Sequence, residues 1–199
     1  KSDLQNKLNL ILFLIISILL SILITQNLDD GFLVNTVLIT SAFYLFFNTL
    51  RDFIHKKLNN LSQNIAHFGF SLLILSILFN NIYSSEVITN LKVGEKFKNE
   101  RYEIIFNSLT QSNEKNYNSL KGNFTIKEKN IITRLEPELR IYNQPKIVTS
   151  EADIKTSFLS DKFITINNVQ NEEYFNVRYQ VKPFMIWIWI SVILISFGG

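Results

Sequence analysis

The chain has 199 residues, of which 47% are hydrophobic and 19% charged, well below the roughly 25% charge of an average soluble domain; the apolar residues gather in 8–82 and 184–199 with most of the charge between them, so a single soluble globule is excluded. Twenty Lys and Arg nearly balance seventeen Asp and Glu for a formal charge of +3, and no basic run of the kind that grips phosphate backbones is present, so no nucleic-acid partner is expected. The absence of cysteine removes disulfide frameworks, thiolate catalysis, Cys-ligated zinc and iron–sulfur clusters together.

About 20 apolar residues in helical geometry cross a ~30 Å hydrocarbon core. Leu8–Thr25 meets that length without a charge and lacks the small-residue cleavage site of a signal peptide. Phe32–Leu50 is a second run, with Asn35 and Asn48 near its ends. Ile65–Tyr83 is a third, with His67 and Gly69 near its start. Phe184–Gly199 is the beginning of a fourth, too short to cross unless it continues. Lys1 is not an initiator residue and the last run stops in mid-pattern, so the chain reads as a piece of a longer protein.

Lys and Arg resist transfer across a bilayer, so the loops that hold them stay inside. Lys1 and Lys7 mark the N-terminal tail, and Arg51, Lys56 and Lys57 the second loop; the first loop carries Asp29 and Asp30 instead. The tail and second loop are therefore expected inside, and residues 84–183 outside, in the periplasm or the mitochondrial intermembrane space. Trp187 and Trp189 fit the headgroup layer at the outer end of the last span.

Residues 84–183 read as an antiparallel β-rich outer domain inserted between the third and fourth transmembrane helices. Tyr174–Val181 alternates, with Phe175, Val177, Tyr179 and Val181 on one face and Asn176, Arg178 and Gln180 on the other, the period of a half-buried strand. Weaker strand signals cover Tyr102–Phe106, Phe124–Lys127, Ile131–Leu135, Leu139–Tyr142 and Lys162–Ile166, with turns expected at Gly122-Asn123 and Asn167-Asn168. Acids and bases are interspersed, giving no single-sign groove, and no internal repeat is visible.

Two histidines are present. His55, among Arg51, Lys56 and Lys57, reads as a solvated loop residue and is assigned no role. His67 lies about a turn inside a span, where an unpartnered polar group costs several kcal/mol. It is either a neutral imidazole bonded to a neighbouring helix or a ligand for a metal or haem. Ala66 and Gly69 leave space for a macrocycle or a second helix, and Ser71 shares a helix face with His67 as a possible supporting partner. No histidine lies in the outer domain, so no Ser-His-Asp arrangement is possible there, and Glu136, Glu138, Glu151 and Asp153 show no spacing that demands acid/base work. No catalytic residue is assigned to the chain itself.

Four blocks resemble the C-terminal third of the CcmF family, the membrane subunit of cytochrome c haem lyases: Ala66-His67-Phe68-Gly69; Leu135-Glu136-Pro137-Glu138-Leu139-Arg140-Ile141-Tyr142; Pro145 through Thr149-Ser150-Glu151-Ala152-Asp153-Ile154; and Val177-Arg178-Tyr179 followed by Lys182-Pro183-Phe184-Met185-Ile186-Trp187-Ile188-Trp189. The resemblance implies attachment of haem to the Cys-X-X-Cys-His motif of apocytochrome c outside the membrane, with a CcmE-type haem chaperone and CcmH-type subunits as partners in a thioether-forming complex. It also implies a resident haem b between membrane helices, with His67 as one axial ligand and the second from outside these residues. Arg140, Glu151 and Arg178 would contact haem propionates or a partner subunit, or serve the architecture of the β domain. The family's tryptophan-rich haem motif, its two flanking histidines and its other membrane histidine are absent here, and Glu138-Leu139 and Ser150 depart from the usual sequence. Other readings are a ResB-like cytochrome c assembly protein and a non-enzymatic membrane anchor whose β domain docks a partner; a transporter is disfavoured by the sparse polar groups in the spans.

Overall fold

The computed structural model describes residues 2–26, 31–54, 61–129, 131–168 and 173–199. His55, Lys56, Lys57, Asp29 and Asp30 lie outside them. The chain divides into a helical unit, Lys1–Tyr83 with Phe184–Gly199, and a β unit, Ser84–Pro183.

The helical unit holds α1 (Ser2–Thr25), α2 (Phe32–Ile54), α3 (Leu61–Tyr83) and α4 (Met185–Gly198). Three of them, Leu4–Thr25, Phe32–Ile54 and Leu61–Tyr83, are long and apolar enough to cross a membrane, while α4 is a shorter apolar helix. Each helix satisfies its own backbone, which an apolar solvent demands. The helices outrun the apolar windows: α1 takes in Lys7 and the polar residues before it, α2 reaches Ile54, and α3 starts at Leu61. The backbone ladder propagates through good helix formers whatever their polarity, so the helices extend past the apolar windows that hydropathy marks.

Hydroxyl groups and aromatic rings join neighbouring helices. Ser21 and Thr40 Oγ atoms are 2.6 Å apart and Thr25 and Thr36 hydroxyls 2.8 Å apart across α1 and α2. Thr49 and Ser71 hydroxyls, 3.0 Å apart, join α2 to α3. Each of these also donates to a carbonyl of its own helix or can receive from its partner, so these hydroxyls are satisfied within the helix pairs they join. Phe43, Phe46, Phe47 and Phe79 pack between α2 and its neighbours with centroids 5.5–6.0 Å from adjoining rings.

The β unit is two antiparallel sheets over one core. The strands are β1 (Ser85–Leu91), β2 (Lys96–Lys98), β3 (Glu103–Asn113), β4 (Tyr117–Glu128), β5 (Ile131–Leu135), β6 (Glu138–Tyr142), β7 (Val148–Glu151), β8 (Asp153–Thr156), β9 (Ser160–Asn168) and β10 (Phe175–Pro183). One sheet has the order β1-β10-β9-β8 and the other β2-β3-β4-β6-β7, with β5 also paired to β4. Inward residues of both meet in a core of Leu91, Ile104, Phe106, Phe124, Ile126, Leu135, Leu139, Ile164, Ile166, Val177 and Tyr179. The alternation over Tyr174–Val181 appears as β10, with Val177 and Tyr179 buried and Arg178 exposed, while Gln180 on the outward-reading face is buried as well.

Gly122-Asn123 is not a turn. It lies inside β4, where the strand changes partner from β6 to β5 and Gly122 N–H donates to Pro137 O at 2.9 Å. A Cβ on Gly122 would stand 2.7 Å from Phe124 Cε2 and 3.3 Å from Phe106 Cε2. Those rings stack at 4.3 Å, so the glycine serves ring packing rather than a left-handed backbone.

Candidate functional site

Helix α3 carries two different faces. Gly69, Ser71, Leu75 and Ser76 are buried, whereas Gln63, His67, Phe70 and Ile77 are exposed along one stripe at i, i+4, i+7 and i+14, the spacing of residues stacked on one helix side. His67 is six residues into the helix, about 9 Å along its axis. It therefore sits on a side of α3 that neither α2 nor α4 covers.

One polar neighbour reaches the ring. Gln63, one turn earlier, places Nε2 at 3.3 Å from His67 Nε2. With the amide nitrogen placed toward the ring it donates and the ring nitrogen accepts, the arrangement that goes with a proton on Nδ1. The lone pair engaged by Gln63 is thus one of the two positions a metal would use on imidazole. Among the described residues there is no group of three or more His, Cys, Asp or Glu able to hold a metal ion. The donor set fits one side of a two-ligand centre and supplies no chelate.

Gly69 lies on another side of α3 from that stripe, and Ser71, one turn after His67, lies at the edge of the stripe, on the side that α2 covers. A Cβ on Gly69 would stand 2.9 Å from Leu194 Cβ and 3.0 Å from the Ile195 amide nitrogen. A Cβ on Gly198 would stand 2.3 Å from the Ala66 nitrogen and 2.5 Å from Ser62 O. Small residues thus let α3 and α4 touch backbone to backbone, and the space beside Gly69 is filled by α4. Ser71 Oγ donates to Phe68 O at 2.8 Å and meets Thr49 Oγ1 on α2. Ala66, Gly69 and Ser71 therefore fix where α3 lies, and α3 presents His67.

The outer candidates do not converge. Arg140 on β6 donates to Glu138 at 2.9 Å and lies over the Tyr117 ring at 5.1 Å. Glu151 on β7 is opposite Glu138 in register and accepts from Thr149 Oγ1 at 3.0 Å. Arg178 lies in the other sheet and is paired with Glu86 on β1. The guanidinium groups hold both carboxyls below the usual range, Glu138 through its hydrogen bond from Arg140 and Glu86 through that from Arg178. Burial raises the Tyr179 phenol, whose oxygen has no hydrogen-bond partner.

Gln63 and Thr49 escaped the sequence reading although both had a signal. Gln63 is spaced i, i+4 from His67, which places them on one face; Thr49 is a hydroxyl at membrane depth that needs a partner.

Residues 82–183 match the family model described as the CcmF C-terminal beta-sandwich. The cytochrome c-type biogenesis protein CcmF of Pseudomonas fluorescens is 30% identical over 138 residues, 69% of this chain and 21% of the relative. That of Pseudomonas aeruginosa is 27% identical over the same shares. A solved structure titled cytochrome c heme lyase CcmF covers 98% of this chain and 34% of its own, with a TM-score of 0.72 and 17% identity, a likeness of fold. The chain spans about a fifth of the length of the curated relatives it matches.

Proposed function

The chain belongs to the CcmF family of cytochrome c-type biogenesis proteins, and from that premise we propose that it forms the C-terminal part of a haem lyase that joins haem to apocytochrome c outside a bacterial-type inner membrane. The observation that carries the reading is His67, an imidazole on an uncovered stripe of an apolar helix, held by one neutral amide.

In this reading His67 would hold a resident haem b through its imidazole, with a further protein ligand supplied from outside these 199 residues. The bound group would supply a one-electron couple. His67 offers Nε2, which requires Gln63 to give up its hydrogen bond, while Nδ1 keeps the proton and remains a donor. Phe70 on the same stripe keeps the surroundings apolar. Gly69 and Ser71 act as positioning residues, through the α4 contact and the Thr49 bond that hold α3 rigid.

Four spans are proposed, with α4 as part of the last. The N-terminus and the loop after α2 lie inside, supported by Lys7 and Arg51, and the β unit lies outside, supported by Trp187 and Trp189 at the start of α4. A CcmE-type haem chaperone, CcmH-type subunits and apocytochrome c are the proposed partners. Arg140, Glu151 and Arg178 are proposed as partner or propionate positions in addition to the ion pairs of the two arginines and the hydrogen bond that Glu151 accepts from Thr149.

The test is maturation. In a bacterium lacking its own lyase, this chain supplied together with the remaining segments of a CcmF protein should restore covalent haem on a c-type cytochrome, read by haem-stained gels. Absence of restoration with every segment present at normal levels in the membrane would remove the lyase reading.

A further inference from the structure

Two hairpins of the β unit end in opposite chemistry. β3 and β4 are joined by Glu114, Lys115 and Asn116, all exposed and polar. β8 and β9 are joined through Ser157-Phe158-Leu159-Ser160, where Phe158 is 60% and Leu159 64% exposed. The middle of a tight turn ordinarily holds Gly, Pro, Asn or Asp, for backbone reasons that also keep it polar. Two large apolar side chains there gain nothing from water.

The turn is built to hold them at its crest. Ser157 N–H donates to Ser160 O at 3.1 Å, Ser157 Oγ donates to the same oxygen at 2.6 Å, and Ser160 N–H donates back to Ser157 Oγ at 3.2 Å. The hydroxyl locks the turn from both sides, so its polar backbone at the closure is satisfied locally. Neither Phe158 nor Leu159 belongs to the core shared by the two sheets.

Strand register locates the crest. Ser160 pairs with Pro183, the last residue of β10, and the apolar helix α4 begins two residues later. With strands ~4.8 Å apart, residues 158 and 159 lie within about 15 Å of the point where the chain leaves the β unit for that helix. Ser85, which opens β1 two residues after α3 ends, pairs with Val181 in the same ladder. The polar hairpin is remote from this end. Ser85 Oγ is 2.7 Å from the Tyr102 hydroxyl, and from Tyr102 the strand β3 runs 11 residues, about 35 Å, before the polar tip.

We infer that Phe158 and Leu159 insert into the interfacial layer of the bilayer, so that the β8–β9 hairpin is a third attachment of the β unit to the membrane besides its two chain connections. The occupant of this apolar crest is lipid because the register sets it at the end of the β unit where the chain runs on into an apolar helix. Exposed Lys155, on the same hairpin, suits anionic headgroups, and Asp161 is half-buried. The inference rests on the reading of the helices as membrane spans and not on haem.

The chain has no cysteine, so single-cysteine variants report one site each. Phe158→Cys, Leu159→Cys, Lys115→Cys and Leu19→Cys in the full chain carry a nitroxide label in vesicles of phosphatidylethanolamine and phosphatidylglycerol. The ratio of oxygen to nickel-chelate accessibility is then read by power-saturation EPR. Labels at 158 and 159 should exceed the label at 115 by about threefold or more and approach the label at 19, as for side chains in the interface. If 158 and 159 match 115 while 19 stays lipid-exposed, the hairpin lies in water and the inference fails although the spans stand. If 19 also matches 115, spans and inference fail together. Protection of 158 and 159 from both probes would mean a protein covers the crest, which also overturns the inference.

Discussion

The two units bury their apolar residues by opposite means. In the β unit, Ile104, Phe106, Ile164 and Val177 are fully excluded from solvent by the protein itself. In the helical unit, Leu8, Leu19 and Leu33 stand well exposed, and cohesion comes from close backbone approach at Gly69 and Gly198 and from paired hydroxyls. The first unit carries its own solvent of side chains, while the second is shaped for lipid or for further protein. The same difference sets where function can hide: the β unit engages Arg140 and Arg178 in its own ion pairs, whereas the helical unit leaves a polar ring uncovered on an apolar face.

Substitutions break this contrast in order of size. Phe106→Ala removes a ring stacked on Phe124 at 4.3 Å and edge-on to Phe175 at 5.6 Å. It should destabilise the β unit by about 3–5 kcal/mol in denaturant titrations followed by circular dichroism in the strand region, with the helical signal intact. A loss below about 1 kcal/mol would mean that the sandwich core is not closed. Gly69→Leu forces a side chain into α4 and should cost about 1–3 kcal/mol, read as a lowered melting temperature of the helical signal in detergent while the strand signal keeps its midpoint. If instead the strand signal moves first, the units are not independent in the way their packing indicates.

The smallest effect is electrostatic. The Glu138 carboxyl is held below its usual 4.5 by Arg140, so the pair stabilises the β unit above that value and its contribution is lost as pH falls through the lower folded value. The unfolding midpoint should be flat from about pH 7 to pH 5 and fall in more acid solution, by below about 1 kcal/mol for this pair. Glu138→Gln should flatten that part of the acid limb; an unchanged limb would leave the pair without energetic weight.

Much of this was legible because the signal was periodic. Alternation over Tyr174–Val181 reported a strand with one dry face, although Gln180 on the other face is buried too, and the apolar runs reported three helices. What was not legible depended on partners far apart in sequence. β1, β7 and β8 take their register from β10, β6 and β9 and carry weak patterns of their own. Gly122-Asn123 looked like a turn because the dipeptide is a turn former; only the Phe106–Phe124 stack, 18 residues apart in sequence, explains the glycine. Ala66 and Gly69 were read as room for a macrocycle or a helix, and α4, more than 100 residues later, decides that a helix fills the space at Gly69. His67 itself was visible because a polar ring at membrane depth needs a reason wherever it stands.

The most direct measurement is the visible absorption spectrum of the parent lyase complex, purified from membranes with the native chain and with His67→Ala, and normalised to protein. Loss of the reduced b-type haem bands in the variant, with the strand and helix signals in circular dichroism unchanged, is the predicted result. A variant that keeps the same haem content and the same low-spin spectrum would show that iron is held elsewhere and that the imidazole on α3 has another purpose.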